Sequence, residues 1–478
     1  MGSCEPVDKA KSLQELSVLQ KIDAYLDLEQ ENGFSGLVSV KLEDELYTRG
    51  FGYANFNKEY KNSENTVFDI GSLTKQFTAA GILKLEMEGK LTVEDSLAKF
   101  FDDIPGDKSA ITLHQLLTHT SGIKRSMGYD YKRTSRNEFL RNVFSSELRF
   151  TPGSEYSYSH AAYSLLGAVI EEVSGSSYEE YLNEKIFKPA GMENTGYVIP
   201  LWENQQIAHG YRRCKDWGKP MDMPWAIDGP YWNLKANAGL ISSGNDLISW
   251  IEAISDDEIL SREAKNKFIS PHVREVKEGK QADSYYGYGW VLGKSRRGTD
   301  VFFHNGGNRR FYTDLIRYES EDVTILVMSN VDKPGNDGIS WELAKIIFWA
   351  DYEANVQGAS QNCMDSLPDN RIGKVAGDLL SLIQDENPLT KPEEFENLFA
   401  DYLKDRRDPQ HIIDYLNFLK KSFKQITINN VVITNHQIMD LYLFYNQEGT
   451  KKNLRLSLVF DEEDDYLIRW LSYDTRYR

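Results

Sequence analysis

The segment Gly71-Ser72-Leu73-Thr74-Lys75-Gln76 sets a serine and a lysine three residues apart where helical spacing begins, so both side chains leave one helix face into the same space. A lysine amine kept neutral by burial or neighbouring charge can take the serine proton, and the N–H groups of a helix start lie beside Ser72, where they can hold an oxyanion. The same four residues also read as a helix cap followed by a solvated lysine. A second cluster, Pro152-Gly153-Ser154-Glu155-Tyr156-Ser157-Tyr158-Ser159-His160, precedes an apolar helix. Tyr158 and His160 are two apart in an extended piece and so face the same way. A phenol beside a lysine ammonium has its anion favoured and can pass protons between nucleophile and leaving group; otherwise Tyr158 is a packed ring with a bonded hydroxyl. The third cluster, Phe302-Phe303-His304-Asn305-Gly306-Gly307-Asn308, closes a strand. Its glycines let backbone approach a ligand, Gly307 offers an unobstructed N–H, and His304 can bond site groups or a substrate carboxylate. A tight turn at a sheet edge is the other reading.

These residues need rigid elements behind them. Ser72 to Glu88 reads as a long helix closed by Gly89, because glycine enters the left-handed region without a Cβ clash. Thr112 caps a helix starting at Leu113, with Gln115 reaching back as in a capping box. Further helices are expected over Ala161–Val173, Tyr178–Phe187 and Trp341–Ala350. Residues 10–32 carry Leu13, Leu16, Leu19, Ile22, Tyr25 and Leu26 at the spacing of an amphipathic surface helix. The period then becomes two. Phe34 to Val40, Leu46 to Gly50 and Phe51 to Ala54 form a hairpin, broken by Gly36, Glu43-Asp44 and Gly52, and strand patterns return at Tyr286–Leu292, Asp300–Phe303 and Val323–Ser329. That order predicts an α+β domain with one sheet built from both ends and helices between. Gly191 to Lys235, rich in Gly, Pro, Trp and Tyr, is expected to form ordered loops. In those loops and beyond, Trp202, Trp217, Trp225, Trp232 and Trp290 either shape an apolar cleft or fill the core.

At 478 residues the chain exceeds one ordinary domain, and 40% hydrophobic with 12% aromatic residues supplies a sizeable core. Beyond Ala350 the composition changes. Residues 351–367 read as a linker, and 368–478 as a small α+β domain, with helices at 370–384, 393–403 and 409–422 and strands at 425–433, 438–446, 452–460 and 466–473. Helices ahead of four strands, the last holding Trp470, resemble an NTF2-like cone. Lys+Arg 55 against Asp+Glu 73 leaves a net charge of −18 with no basic block, which excludes the footprint of a nucleic-acid binder. No stretch approaches the ~18 uninterrupted apolar residues of a membrane span. Cys4, Cys214 and Cys363 stand too far apart to read as a disulfide framework, the histidines show no ligand spacing, and neither a metal nor another cofactor is expected. The start lacks a basic region followed by an apolar core. Cys4 fits the remnant of a lipid anchor on a periplasmic or extracellular protein, and a cytoplasmic location is the alternative.

Together the three clusters resemble the penicillin-recognising serine enzymes, whose signature is Ser-x-x-Lys, a middle Ser-Asp-Asn, and Lys-Thr-Gly. The chain is similar to the branch with Tyr-x-Asn in the middle, which holds class C beta-lactamases, D-Ala-D-Ala carboxypeptidases, D-aminopeptidases and esterases. The resemblance covers about residues 15–350 and includes Gly50-Phe51-Gly52-Tyr53-Ala54-Asn55, Leu116 to Ile123, Tyr163 to Gly167, Ala238-Gly239-Leu240 and Tyr288-Gly289-Trp290. It implies a beta-lactamase/transpeptidase-like fold over residues 10–350, a three-layer α/β/α sandwich with a central antiparallel sheet and a helical subdomain. It also implies Ser72 as acylated nucleophile, Lys75 as its proton acceptor, Tyr158 as shared acid and base, and the Ser72 and Gly307 N–H groups as oxyanion hole. His304-Asn305-Gly306 stands where the family shows Lys-Thr-Gly or His-x-Gly, and His119 looks like a structural turn supporting the site. His160 replaces the asparagine of Tyr-x-Asn, and an imidazole is charged below its ordinary pKa of about 6.5. With the strand lysine gone as well, Arg309 and Arg310 are either a substitute carboxylate anchor or solvated surface groups. The implied function is a serine hydrolase of small acyl, peptide or ester substrates, a peptidase or esterase before an efficient beta-lactamase. The alternative is a penicillin-binding sensor or inactive scaffold.

Overall fold

The computed structural model describes residues 16–202, 207–212, 215–277, 279–333, 335–352, 354, 362–364, 367, 371–385, 387–400, 408–435, 438–447, 450–461 and 467–475. Cys4, Cys214, the first residues of the expected 10–32 helix and most of the expected 351–367 linker lie outside them. The chain divides near residue 357 into two compact units.

The first unit is built on an eight-stranded sheet in which every neighbouring pair is antiparallel. Its order is Val273–Lys277, Lys280–Tyr286, Val291–Lys294, Asp300–Gly307, Tyr312–Tyr318, Val323–Ser329, Gly36–Leu42 and Glu45–Phe51. The hairpin near the start therefore pairs with the strand near the end, from Gly36 opposite Ser329 to Leu42 opposite Val323. Side chains alternate across the central strands. Val38, Ile316, Ile325 and Val327 pack against Ile22 and Leu26 of helix Val18–Glu31 and Ile339 and Leu343 of helix Asn336–Phe348. Leu37, Leu315, Leu326 and Met328 belong to the core on the opposite face, with Phe77 of helix Thr74–Met87 and Trp250 of helix Gly244–Ser255. Burial on both faces makes Val323–Ser329 buried at every position, as its near-continuous apolar run requires. The result is the three-layer α/β/α sandwich expected, with helices Thr74–Met87, Leu113–Leu117, Arg136–Ser145 and His160–Ser174 in the long insertion between the sheet's two halves.

Local signals explain the elements that carry the site. Ser72 sits in a 3-10 turn, Gly71–Leu73, that runs straight into helix Thr74–Met87. Gly89 at φ 69° ends it, its N–H donating to Glu86 O at 2.9 Å. Thr112 and Gln115 form the expected capping box on Leu113–Leu117. Helix His160–Ser174 is capped by the Ser159 side chain, which accepts the Ala162 N–H.

Two expectations are corrected, and one strand was missed. Tyr286–Leu292 is not one strand: Gly289 at φ 79° and the Gly287 N–H to Trp290 O bond of 2.8 Å turn the chain there. Tyr312–Tyr318 is a central strand that the sequence pattern hid. It carries buried Asp314 and Arg317, satisfied by Ser340 and by Glu319 and Asp322, so an apolar count fails there. In the second unit the expected 393–403 helix is two short turns, Pro392–Glu394 and Glu396–Leu398, with 401–403 outside the described residues. The Ala400 N–H donates to Ile468 O at 3.1 Å, which draws the chain into extended pairing.

The second unit holds a five-stranded antiparallel sheet, Asn362–Met364, Lys424–Asn435, Ile438–Gln447, Thr450–Asp461 and Leu467–Asp474 in that order. Val375 and Leu379 of helix Arg371–Gln384 and Ile413 and Leu416 of helix Pro409–Ser422 close its core.

Candidate active site

Lys75 is fully buried, and its amine meets groups from three parts of the chain. Its Nζ lies 3.1 Å from Ser72 Oγ, 2.7 Å from Asn237 O and 3.4 Å from His160 Nδ1. A neutral amine has two protons and one lone pair, and this environment matches it: a carbonyl and an unprotonated imidazole nitrogen accept, and the serine hydroxyl donates. Burial lowers the Lys75 pKa well below its ordinary value, Arg125 lowers it further, and Asp130 opposes. The serine at the head of the helix thus faces a ready base.

Tyr158 leans on the same group, with Lys75 Nζ 4.9 Å from its ring centroid. Burial raises the phenol pKa, outweighing the opposing hydrogen bond with Ser72 and the charge of Arg125. The expectation of a favoured phenolate is therefore corrected. Burial outweighs the groups that favour the anion, so the phenol keeps its proton and Tyr158 stands as a proton donor. Its ring is set by His119, whose centroid is 4.2 Å away and whose Nδ1 accepts the Ser159 N–H at 3.1 Å. His119 is the supporting turn expected, buried and at φ 61°.

Both departures from the family pattern resolve toward neutrality. Burial, then Lys75 and Arg125, push His160 down to about 2, and burial and Lys75 push His304 down to about 3. Neither imidazole carries charge at neutral pH, and His160 stays uncharged well below the ordinary pKa of about 6.5. His304 Nε2 lies 3.1 Å from the Tyr286 hydroxyl and its Nδ1 2.6 Å from Asn305 O. Both ring nitrogens are occupied, which leaves none for a substrate carboxylate.

Gly307 ends the strand that passes the serine. A Cβ on Gly71 would lie 2.5 Å from Gly307 N, and one on Gly306 2.7 Å from Ser72 N, so the two amides border one small space. Gly71, at φ 51°, needs a residue without a side chain for its backbone as well.

A cleft of about 800 Å³ opens on Ser72, Tyr158, His160, His304 and Gly307 and is completed by Arg125 and Glu275. Arg125 is exposed there, its guanidinium carbon 5.7 Å from the Tyr158 ring centroid. Arg149 bonds Ser157 and Lys277 pairs with Glu275, whereas Arg125 has no carboxylate within ion-pair distance among the described residues. Arg310 instead lies over the Tyr131 and Trp217 rings at 5.4 and 4.9 Å, and neither it nor Arg309 lines the cleft. None of the five tryptophans lines it either. Trp290 and Trp232 fill the core, Trp202 donates to Tyr197 O and Trp225 packs on Tyr197. Sequence reading missed Arg125, Asn237 and Tyr286. Arg125 follows the Leu116 to Ile123 segment closely enough to be suspected, but Asn237 acts through its carbonyl, which residue type does not encode.

Comparison with known proteins places the first unit in a family. The family model described as Beta-lactamase matches residues 25–346. A penicillin-binding protein of Bacillus subtilis (strain 168) is 30% identical over 322 residues, 64% of this chain and 70% of that one. Protein flp of Staphylococcus aureus (strain COL) is 28% identical over 329 residues, 66% of this chain and 63% of its own length. Among solved structures, the octameric penicillin-binding protein homologue of Pyrococcus abyssi is similar over 95% of this chain and all of its own, at TM-score 0.60 and 20% identity. D-amino acid amidase of Ochrobactrum anthropi SV3 covers 69% of this chain and 98% of its own, at TM-score 0.58 and 20% identity. With residues 25–346, two thirds of its length, matched by the family model, the chain belongs to the beta-lactamase family.

Proposed function

We propose that the protein is a serine hydrolase that cleaves amide or ester bonds of small acyl substrates through an acyl-enzyme on Ser72. The observation that carries the reading is the fully buried Lys75 amine 3.1 Å from Ser72 Oγ. Lys75 takes the Ser72 proton as Oγ attacks the carbonyl, and the Ser72 and Gly307 N–H groups hold the resulting oxyanion. Tyr158 gives its phenolic proton to the leaving nitrogen or oxygen as the bond to carbon breaks, and regains one from the Lys75 ammonium. Water then attacks the ester, Ser72 recovers its proton and the acid leaves. Membership of the family supports hydrolase chemistry, and the amidase among the structural neighbours supports amide cleavage on this fold.

Intact-protein mass spectrometry over time, with a fluorophosphonate and separately with benzylpenicillin, tests it on wild type and Ser72→Ala. A wild-type adduct absent from the variant is expected. A penicillin adduct that persists after free drug is removed favours the sensor, its loss favours the hydrolase, and no adduct with either probe overturns the reading.

The neutral histidines leave Arg125 to meet an anionic substrate. Arg125→Ala is expected to raise KM at least about tenfold for an acyl-dipeptide with a free terminal carboxylate and to leave its methyl ester unaffected, since a charge-assisted hydrogen bond contributes ~1.5–3 kcal/mol. Equal effects on acid and ester would remove Arg125 from substrate recognition.

A further inference from the structure

Asp69 ends the short strand Val67–Asp69, two residues before Gly71. Its buried carboxylate has two partners. Oδ1 accepts the Gly71 N–H at 2.7 Å, and Oδ2 accepts from Asn308 Nδ2 at 2.6 Å. Asn308 Oδ1 accepts the Arg310 and Phe311 N–H groups at 3.2 and 3.1 Å, which fixes the turn where Arg309 adopts φ 66°. One carboxylate therefore ties the residue preceding Ser72 to the residue following Gly307.

We propose that Asp69 and Asn308 form a clamp that sets the spacing between the Ser72 and Gly307 N–H groups and so positions the oxyanion hole. The proposal rests on the reading of those two amides as the hole. Neither clamp residue is among those lining the cleft. They act as positioning residues, holding two chain segments that otherwise belong to different elements, the helix start and the strand end. The near contact of Gly71 with Gly307 N leaves little slack, so losing the tie lets the amides drift apart.

The clamp has a pH signature. An ionised carboxylate accepts both N–H bonds, whereas a protonated one gives up an acceptor. The groups around Asp69 are Arg310, Asp130, Tyr131 and Tyr197. Burial pushes the Asp69 carboxyl up to about 6, with the Gly71 bond, Arg310 and Asn308 opposing and Asp130 adding to the rise. The ionised clamp is present above that pH and lost below it.

The test is the rate of Ser72 modification by a fluorophosphonate in wild type, Asp69→Asn, Asn308→Ala and the double variant, from pH 5 to 8, with thermal melts alongside. Asparagine at 69 still accepts from Gly71 but presents N–H groups to Asn308, whose oxygen is already engaged. Each single variant is expected to lose about ten- to a hundredfold in maximal rate with little change in the half-saturating probe concentration, because misplacement costs rate more than affinity. The double variant should lose no more than the worse single one. The acid limb near pH 6 should vanish with Asp69→Asn. Singles that react within about threefold of wild type, or losses that multiply, overturn the clamp. A purely structural role would lower the melt without moving the pH limb.

Amide shifts in 15N-glycine-labelled protein give a reading that needs no chemistry. Gly71 and Gly307 should move together near pH 6 in wild type and not in either single variant. If wild type forms no adduct, the hydrolase reading fails while the shifts still decide the clamp. If Asp69→Asn does not fold, Asn308→Ala carries both measurements, and shifts that are uncorrelated in wild type, or still correlated in Asn308→Ala, overturn the proposal.

Discussion

Lys75→Met should cut the rate of Ser72 acylation by at least about a thousandfold and leave a protein that unfolds at the same or a higher temperature. The loss follows from removing the amine beside the hydroxyl, since positioned proton transfer contributes ~10²–10⁴ and the nucleophile is weak without it. Stability moves the other way for reasons of linkage. Lys75 is held below its ordinary pKa by burial, so the unfolded chain binds a proton that the folded chain does not. That deficit disfavours folding at every pH below the ordinary lysine value and fades only as pH rises toward it. Methionine has no such proton and fills similar volume, at the cost of leaving Asn237 O without its 2.7 Å partner. Wild type should also gain acylation rate with rising pH as the amine loses its proton, a limb absent from the variant. Fluorophosphonate labelling against pH, with calorimetric melts, measures both. Labelling within about tenfold of wild type would transfer the role of base to another group.

Gly306→Ala is the second large effect. The new Cβ would lie 2.1 Å from Ile70 O and 2.7 Å from Ser72 N, both backbone atoms, where ordinary contact is 3.4–4 Å. Neither atom can rotate away, so the strand Asp300–Gly307 and the serine turn must part by about 1 Å. A shift of that size between reacting groups is worth about a hundredfold in rate. Overpacking of this kind costs ~1–3 kcal/mol, so the melt should fall as well. Gly293→Ala is the control. It lies in a neighbouring strand of the same sheet with nothing within 4 Å of its Cβ position, and should change neither quantity beyond error. Equal labelling rates for Gly306→Ala and wild type would show that the two amides do not share the oxyanion.

Much of this architecture was legible in residue order. The helix from the serine turn to Gly89, the Thr112–Gln115 capping box and the N-terminal hairpin carry local signals, and local signals survive folding because they are satisfied within a few residues. Tyr312–Tyr318 was not legible, because its buried Asp314 and Arg317 find partners only after the sheet and the helix Asn336–Phe348 come together. The same reason hid the place of Arg125 at the cleft and the place of Arg310 away from it. Which of two exposed-looking arginines faces a cleft depends on the turn that carries it.

Spacing alone places Ser72 and Lys75 on one face and lines up the three clusters in the family's order, since a helix repeat and a strand end are properties of the local chain. The protonation states are different in kind. Burial is the largest cause lowering the Lys75 pKa, and it arises where Asn237 and His160, 162 and 85 residues away in the chain, close around the amine; burial likewise lowers both histidines and keeps the Tyr158 proton on its oxygen. Charge in a protein follows the dielectric and the neighbours that packing supplies, and those exist only when the distant segments have met.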